Sequence, residues 1–125
     1  MKTQYVFYLI LILFAVFFVF FGPLQADSDV EGAKEALQDG AILIDVRTKA
    51  EYDDGHAKEA INIPYDEIAR HLHEIDAYKE KGVVVYCRSG RRSGIAKQTL
   101  LSNGFGKVIN AGGLKDMASV SCFNC

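Results

Sequence analysis

The chain has 125 residues, half of them hydrophobic, with 14 lysines and arginines against 16 aspartates and glutamates, a formal net charge of −2. That length allows one small domain with a real core but not two. The slightly acidic balance argues against nucleic acid as a partner and leaves any cluster of arginines as a local positive spot.

At the N-terminus Lys2 is followed by Tyr5 to Phe21 without a charge or strong polar group, and then by Gly22-Pro23-Leu24-Gln25-Ala26 before the acidic Asp27-Ser28-Asp29. This is the pattern of an export segment. The apolar run exceeds an ordinary signal core, and extended to Leu24 it reaches about 30 Å as a helix, enough to cross a bilayer. Residues 1–26 are therefore expected to be a signal peptide cut after Ala26, although Leu24 is larger than usual before such a cut, or else a retained membrane anchor. In both cases the positive N-terminus stays inside and the rest is exported, to the periplasm or cell envelope. Contact with a membrane is then confined to this segment. Lys2 is the one charged residue before Asp27, so the remaining 99 residues carry 13 basic and 16 acidic side chains.

Ser28 and Glu31 have capping-box spacing, and Val30, Ala33, Ala36 and Leu37 follow at helical intervals up to Gly40, predicting an amphipathic helix. Ala41 to Val46 is an apolar run broken by Asp45 and ending at Arg47, as expected of a strand buried on both faces of a parallel sheet. Thr48 and Glu51 repeat the capping box and open a short helix that closes at Gly55. Ile61-Asn62-Ile63 reads as a short strand stopped by Pro64. From Asp66 to Ile75 the spacing of Ile68, Leu72 and Ile75 predicts a third helix, with His71 and His73 on its solvated face. Lys107-Val108-Ile109 predicts a last short strand before Ala111-Gly112-Gly113. Strands and helices alternate, so the class is α/β with a small, mainly parallel sheet flanked by helices on both faces.

Between these elements lies the stretch with chemical character. Val83-Val84-Val85-Tyr86 is a buried strand, Cys87 stands where it must stop, and Arg88-Ser89-Gly90-Arg91-Arg92-Ser93 leads into a helix marked by Ile95, Ala96, Thr99 and Leu100 and ended by Asn103-Gly104. Cys87 thus sits at a strand's carboxyl end, beneath a helix N-terminus whose first amides lack partners and carry partial positive charge. With Arg88, Arg91 and Arg92 nearby, its pKa should fall and the thiolate should be nucleophilic without a dedicated base. The amides of residues 88–92 can form a nest around a group on the sulfur, so the pattern predicts attack on a small anion. The bland alternative is a buried structural cysteine before a solvated basic turn.

Read in order, Asp45-Val46-Arg47, Glu51-Tyr52, Gly55-His56, Ala60-Ile61-Asn62-Ile63-Pro64, Cys87 to Ser93 and Asn110-Ala111-Gly112-Gly113 resemble the signatures of the rhodanese, or thiosulfate sulfurtransferase, family. The resemblance covers nearly all of residues 27–121. It implies that Cys87 takes up sulfane sulfur as a persulfide, that Arg88, Ser89, Gly90, Arg91 and Arg92 cradle it, and that Asp45, Glu51 and His56 are structural. Arg47 either adds to the pocket's field or pairs with an acidic neighbour. The implied partners are a small anionic donor such as thiosulfate and a thiol or cyanide-like acceptor, with no cofactor and no metal. Two positions depart from the pattern: Glu59 stands where glycine is usual, and Met117 where tryptophan is common.

Other readings are a noncatalytic persulfide carrier and a cysteine phosphatase or arsenate reductase. A phosphatase loop places five residues between Cys and an Arg-Ser pair, whereas four separate Cys87 from Arg92-Ser93, a tighter ring suited to a single sulfur. Residues 122–125 form a Cys-x-x-Cys tail in which Cys122 and Cys125 are expected either to pair reversibly or to have no role.

Overall fold

The computed structural model describes residues 2–21 and 28–119. Helix α1, Lys2–Phe21, is apolar and long enough to cross a membrane, and its described side chains are exposed to solvent. The proposed cut after Ala26 and the pair Cys122 and Cys125 lie outside the described residues.

Helix α2 spans Val30–Gln38. Its cap is Asp29 and not Ser28: the Asp29 carboxylate accepts the Gly32 N–H at 2.8 Å, three residues on. The Asp29 N–H is itself donated to the Asn110 carbonyl at 2.8 Å, which fastens the start of α2 to the sheet. Strand β1 is Ile42–Asp45, one residue shorter at each end than the apolar run. Helix α3, Lys49–Asp53, begins with the expected capping box, in which Thr48 and Glu51 exchange hydrogen bonds. Strand β2 is Ile61–Asn62.

The third predicted helix is replaced by two 3-10 segments, Ile68–Arg70 and Leu72–Tyr78. Their amides reach back three residues, as in His71 to Ile68 and Glu74 to His71. The tighter winding still places Ile68 and Ile75 against the sheet, so burial is met without an α-helical ladder. Strand β3, Val83–Tyr86, is followed by α4, Arg91–Ser102, then by β4, Val108–Asn110, displaced by one residue from the expected strand. A short helix α5, Leu114–Met117, was not legible as a helix in the sequence.

The four strands are all parallel, in the order β2-β1-β3-β4, with Ile44 beside Val85 and Val84 beside Ile109. Because strand side chains alternate, β3 feeds two cores. Val83, Val85 and Cys87 join Ile44, Ala96, Leu100 and Phe105 on the α4 face, while Val84 and Tyr86 join Ala33, Ala36 and Met117 on the α2 and α5 face. The β3 valines are almost wholly buried, and each such side chain contributes roughly 1.5–3 kcal/mol.

Glu59 adopts φ +67°, the one positive φ outside glycine among the described residues, and precedes the turn into β2 where the sequence departs from the expected glycine. Left-handed strain costs a side chain about 1–2 kcal/mol, against about 0.5–1 kcal/mol of extra chain entropy for glycine. Glu59→Gly should therefore stabilise the domain by up to about 1 kcal/mol in urea denaturation. A less stable variant would show that contacts of the Glu59 side chain outweigh the strain.

Candidate active site

Cys87 lies one residue beyond β3, fully buried, with its N–H donated to the Gly112 carbonyl at 3.1 Å. The chain then turns sharply. Gly90, the residue that caps α4, has φ +95°, a conformation that aims its N–H at the Cys87 sulfur 3.0 Å away. The Ser93 hydroxyl stands 3.4 Å from the same sulfur. Burial pushes the Cys87 thiol up, but the Ser93 hydroxyl and the amides of Ser93, Ser89 and Gly90 outweigh it and leave the pKa below the ordinary thiol value. The expected low pKa is thus present, and its main source is the amide nest and one hydroxyl rather than the arginines.

The arginines themselves divide. Arg88 and Arg91 are exposed beside the loop. Arg92 turns to Glu51 on α3 and grips its carboxylate with both arms, at 2.8 and 3.1 Å. Its charge is therefore largely matched before any anion arrives. Arg47 is set apart more fully. Only 4% exposed, it bonds Asp45 at 2.6 Å and the Gly55 carbonyl at 2.7 Å, so the alternative of a structural ion pair is the one the fold adopts. Burial would lower the Arg47 pKa, but the hydrogen bond and charge of Asp45 hold it raised.

Asp45 also accepts the Tyr86 hydroxyl at 2.8 Å, and Tyr86 accepts the Ala57 N–H at 3.0 Å. Burial, then the Asp45 carboxylate, pushes the Tyr86 phenol well above its usual range, so it remains a neutral donor. His56 stacks on Tyr52 with ring centroids 3.6 Å apart, and its Nδ1 meets the Tyr52 carbonyl at 2.8 Å. These contacts brace the β1–α3–β2 turn. His71 pairs with Glu74 at 2.8 Å, and His73 is exposed.

The sequence placed Asn110 in a family signature but gave it no role. It is 1% exposed at the end of β4 and bonds Gly90, Ser93 and Gly112, the supports of the cysteine loop. Its one local signal was a polar side chain closing an apolar strand before paired glycines. Gly113 makes the same point: a Cβ there would lie 2.5 Å from the Arg88 carbonyl oxygen, so a glycine is required where α5 approaches the loop.

The Rhodanese-like domain family matches residues 29–119. The chain belongs to the rhodanese-like family. Over 75 residues, 60% of this chain and 72% of the relative, it is 45% identical to the thiosulfate sulfurtransferase PspE of Escherichia coli (strain K12). Over 89 residues, 71% of this chain and 81% of the relative, it is 36% identical to a sulfurtransferase of Allochromatium vinosum. Among solved structures, a rhodanese with anions from E. coli has a TM-score of 0.59 at 43% identity, covering 62% of this chain and 91% of that one. A human single-domain sulfurtransferase has a TM-score of 0.63 at 26% identity, covering 76% of this chain and 97% of that one. The fold is thus rhodanese-like, and the likenesses support sulfur transfer as the general chemistry of this rhodanese-family chain.

The Glu51–Arg92 pair makes a prediction about acid stability. Arg92's hydrogen bonds, then the Thr48 N–H, hold the Glu51 carboxyl at about 2, below its ordinary 4.5. A lowered carboxyl pKa gives stability that is complete above the unfolded value and lost as pH falls through the folded one, so the window runs from about pH 4.5 down to about 2. Glu51→Gln should be less stable than the parent near neutral pH and converge on it at the acid end, read by denaturant melts across that range. Parallel curves would mean that the pair contributes nothing to folding.

Proposed function

We propose that this chain moves sulfane sulfur from thiosulfate, or a similar small anionic donor, to a thiol or cyanide-like acceptor through a persulfide on Cys87. The observation that carries the reading is the pair of donors on the sulfur: the Gly90 N–H at 3.0 Å and the Ser93 hydroxyl at 3.4 Å, at the start of α4. They favour the thiolate at rest and remain in place to hold the same sulfur once it carries a second one. The donor named for the E. coli relative supports thiosulfate as the substrate to test first.

In the forward step the Cys87 thiolate attacks the outer sulfur of thiosulfate. A sulfur–sulfur bond forms to Sγ, the bond to the sulfonate sulfur breaks, and sulfite leaves with that electron pair. The single negative charge of the thiolate becomes that of the persulfide, and the dianion is exchanged for a dianion. An acceptor thiolate or cyanide then attacks the outer sulfur of the persulfide and returns the Cys87 thiolate. Cys87 has no exposure in the resting structure, so neighbouring groups must move aside for a donor to reach it. Arg88 and Arg91, exposed on the loop, attract the dianion, while Arg92 shapes the loop through Glu51.

Residues 1–26 act in this reading as a signal peptide or membrane anchor that exports residues 27–121. The helix is apolar and its described side chains are exposed, a surface that a bilayer or a translocation channel can bury. The Cys122 and Cys125 tail in this reading either pairs reversibly, serving as a local acceptor when reduced, or has no role.

Cys87→Ser should fold normally and lose transfer from thiosulfate, since a hydroxyl is far less acidic and a poorer nucleophile toward sulfur. A folded variant that keeps more than a few per cent of the parent rate would remove Cys87 as nucleophile. A mass spectrum of the parent after thiosulfate should show one added sulfur that the variant lacks. Arg88→Ala and Arg91→Ala should each raise KM for thiosulfate about two- to fivefold, an effect that fades in high salt, as expected of exposed charges. Salt-independent changes would instead point to a direct, desolvated contact.

A further inference from the structure

The loop around Cys87 depends on groups that do not belong to it. Its amides can face the sulfur only while Gly90 keeps φ +95°, and Gly90 has no side chain with which to hold that turn. From outside the loop and its helix, the turn is reached by the side chain of Asn110, at the carboxyl end of the neighbouring strand β4. Its Nδ2 donates to the Gly90 carbonyl at 3.1 Å, and its Oδ1 accepts the Gly112 N–H at 2.9 Å and the Ser93 hydroxyl at 2.7 Å.

Each of those partners has its own contact with Cys87. Gly90 supplies the amide on Sγ, Ser93 the hydroxyl near Sγ, and Gly112 the carbonyl that accepts the Cys87 N–H. The bonds also fix which end of the carboxamide is which, because Gly112 presents a donor and Gly90 an acceptor. We propose that Asn110 is a positioning residue for the sulfur chemistry at Cys87, holding in place the three groups that surround this cysteine without touching the sulfur itself.

Counting hydrogens sharpens the role. The Gly90 carbonyl receives the Gly94 N–H at 3.0 Å and the Asn110 amide at 3.1 Å, and the Ser93 hydroxyl lies 3.0 Å from it as well. Ser93 is fully buried and has one hydroxyl hydrogen, for which Asn110 Oδ1 at 2.7 Å is the shortest contact, ahead of the crowded Gly90 carbonyl and of Cys87 Sγ at 3.4 Å. When the sulfur is a thiolate the hydrogen turns to it. When the charge leaves Sγ for an outer sulfur, Asn110 gives the hydrogen a second acceptor, and no buried donor is stranded at either stage. Without the carboxamide the Gly90 carbonyl loses one bond, the turn loosens, and the amides no longer converge on the sulfur.

The inference rests on Cys87 being the reacting sulfur, and its test reads the thiol directly so that it does not depend on thiosulfate being the donor. The other charged groups around the loop are Arg88 and Arg91 within it, Arg92 on α4 with its partner Glu51 on α3, Asp116 on α5, which accepts the Gly113 N–H, and the Asp45–Arg47 pair after β1. None is altered by the substitutions.

The rate of Cys87 alkylation is measured against pH in a protein with Cys122 and Cys125 replaced by serine. Asn110→Ala should move the midpoint up by about half a pH unit or more, with circular dichroism unchanged. Asn110→Asp keeps the acceptor for Ser93 and Gly112 but places a carboxylate one hydroxyl from the sulfur, so its midpoint should rise further, most at low salt. In a Ser93→Ala background the Asn110→Ala shift should shrink, because part of it acts through that hydroxyl. A merely structural residue would lower the melting temperature and leave the midpoint where it was. Folded variants with the parent's midpoint would overturn the proposal. The parent itself supplies a reading that needs no Asn110 variant: the Asn110 side-chain amide resonances should titrate with the Cys87 midpoint and stop doing so once the sulfur is alkylated. Resonances that ignore the state of Cys87 would overturn it equally.

Discussion

A single left-handed residue sets the geometry on which the rest of this domain depends. Gly90 at φ +95° turns the chain from the end of β3 into α4 and points its amide at a sulfur 3.0 Å away. A side chain at that position would be strained by this φ, and without the turn the Gly90 amide would not face Cys87. The donors that favour a thiolate at Cys87 are therefore set by the backbone's path more than by any charged side chain. The same turn is held from behind by Asn110 and from below by the Gly112–Gly113 segment, which approaches the loop too closely for a Cβ.

The sheet supplies the rigidity. Because β3 alternates between two cores, it carries Cys87 on the α4 face and Tyr86 on the opposite one, where Tyr86 ties into Asp45, Arg47 and Ala57. A buried ion pair is costly to desolvate and is retained only when its remaining bonds are made. Here Asp45 accepts Arg47 and Tyr86, and Arg47 also reaches the Gly55 carbonyl, so the network is satisfied and pins the turn after β1. Asn62 closes it from β2, donating to the carbonyls of both Asp45 and Arg47 at 3.0 Å.

Charge near the loop is apportioned in a way that residue counts alone conceal. Three arginines lie within five residues of Cys87, yet one is held by Glu51 and serves to join α3 to α4. The other two are exposed, where screening limits what each can do. The short-range hydrogen bonds on the sulfur thus come from an amide and a hydroxyl and not from the arginines.

Taken by itself, the sequence determined the local pieces. The run Val83 to Tyr86, the cysteine after it, the glycine and arginine turn and the helical spacing to Asn103 are all short-range signals, and they located the cysteine loop correctly. The Thr48–Glu51 capping box was legible for the same reason, its partners being three residues apart. What only the tertiary structure decided were the meetings between distant segments. Glu51 encounters Arg92 across 41 positions, Asn110 meets Gly90 across 20, and Tyr86 meets Asp45 across 41. The cap of α2 passed to Asp29 once β4 took its amide, and residues 68–78 wound into 3-10 turns once the sheet fixed where Ile68 and Ile75 had to lie. The physical reason is common to these cases. Periodicity and turn chemistry act over one or two turns of chain, whereas a buried polar group takes whichever partner the packed sheet brings within about 3 Å.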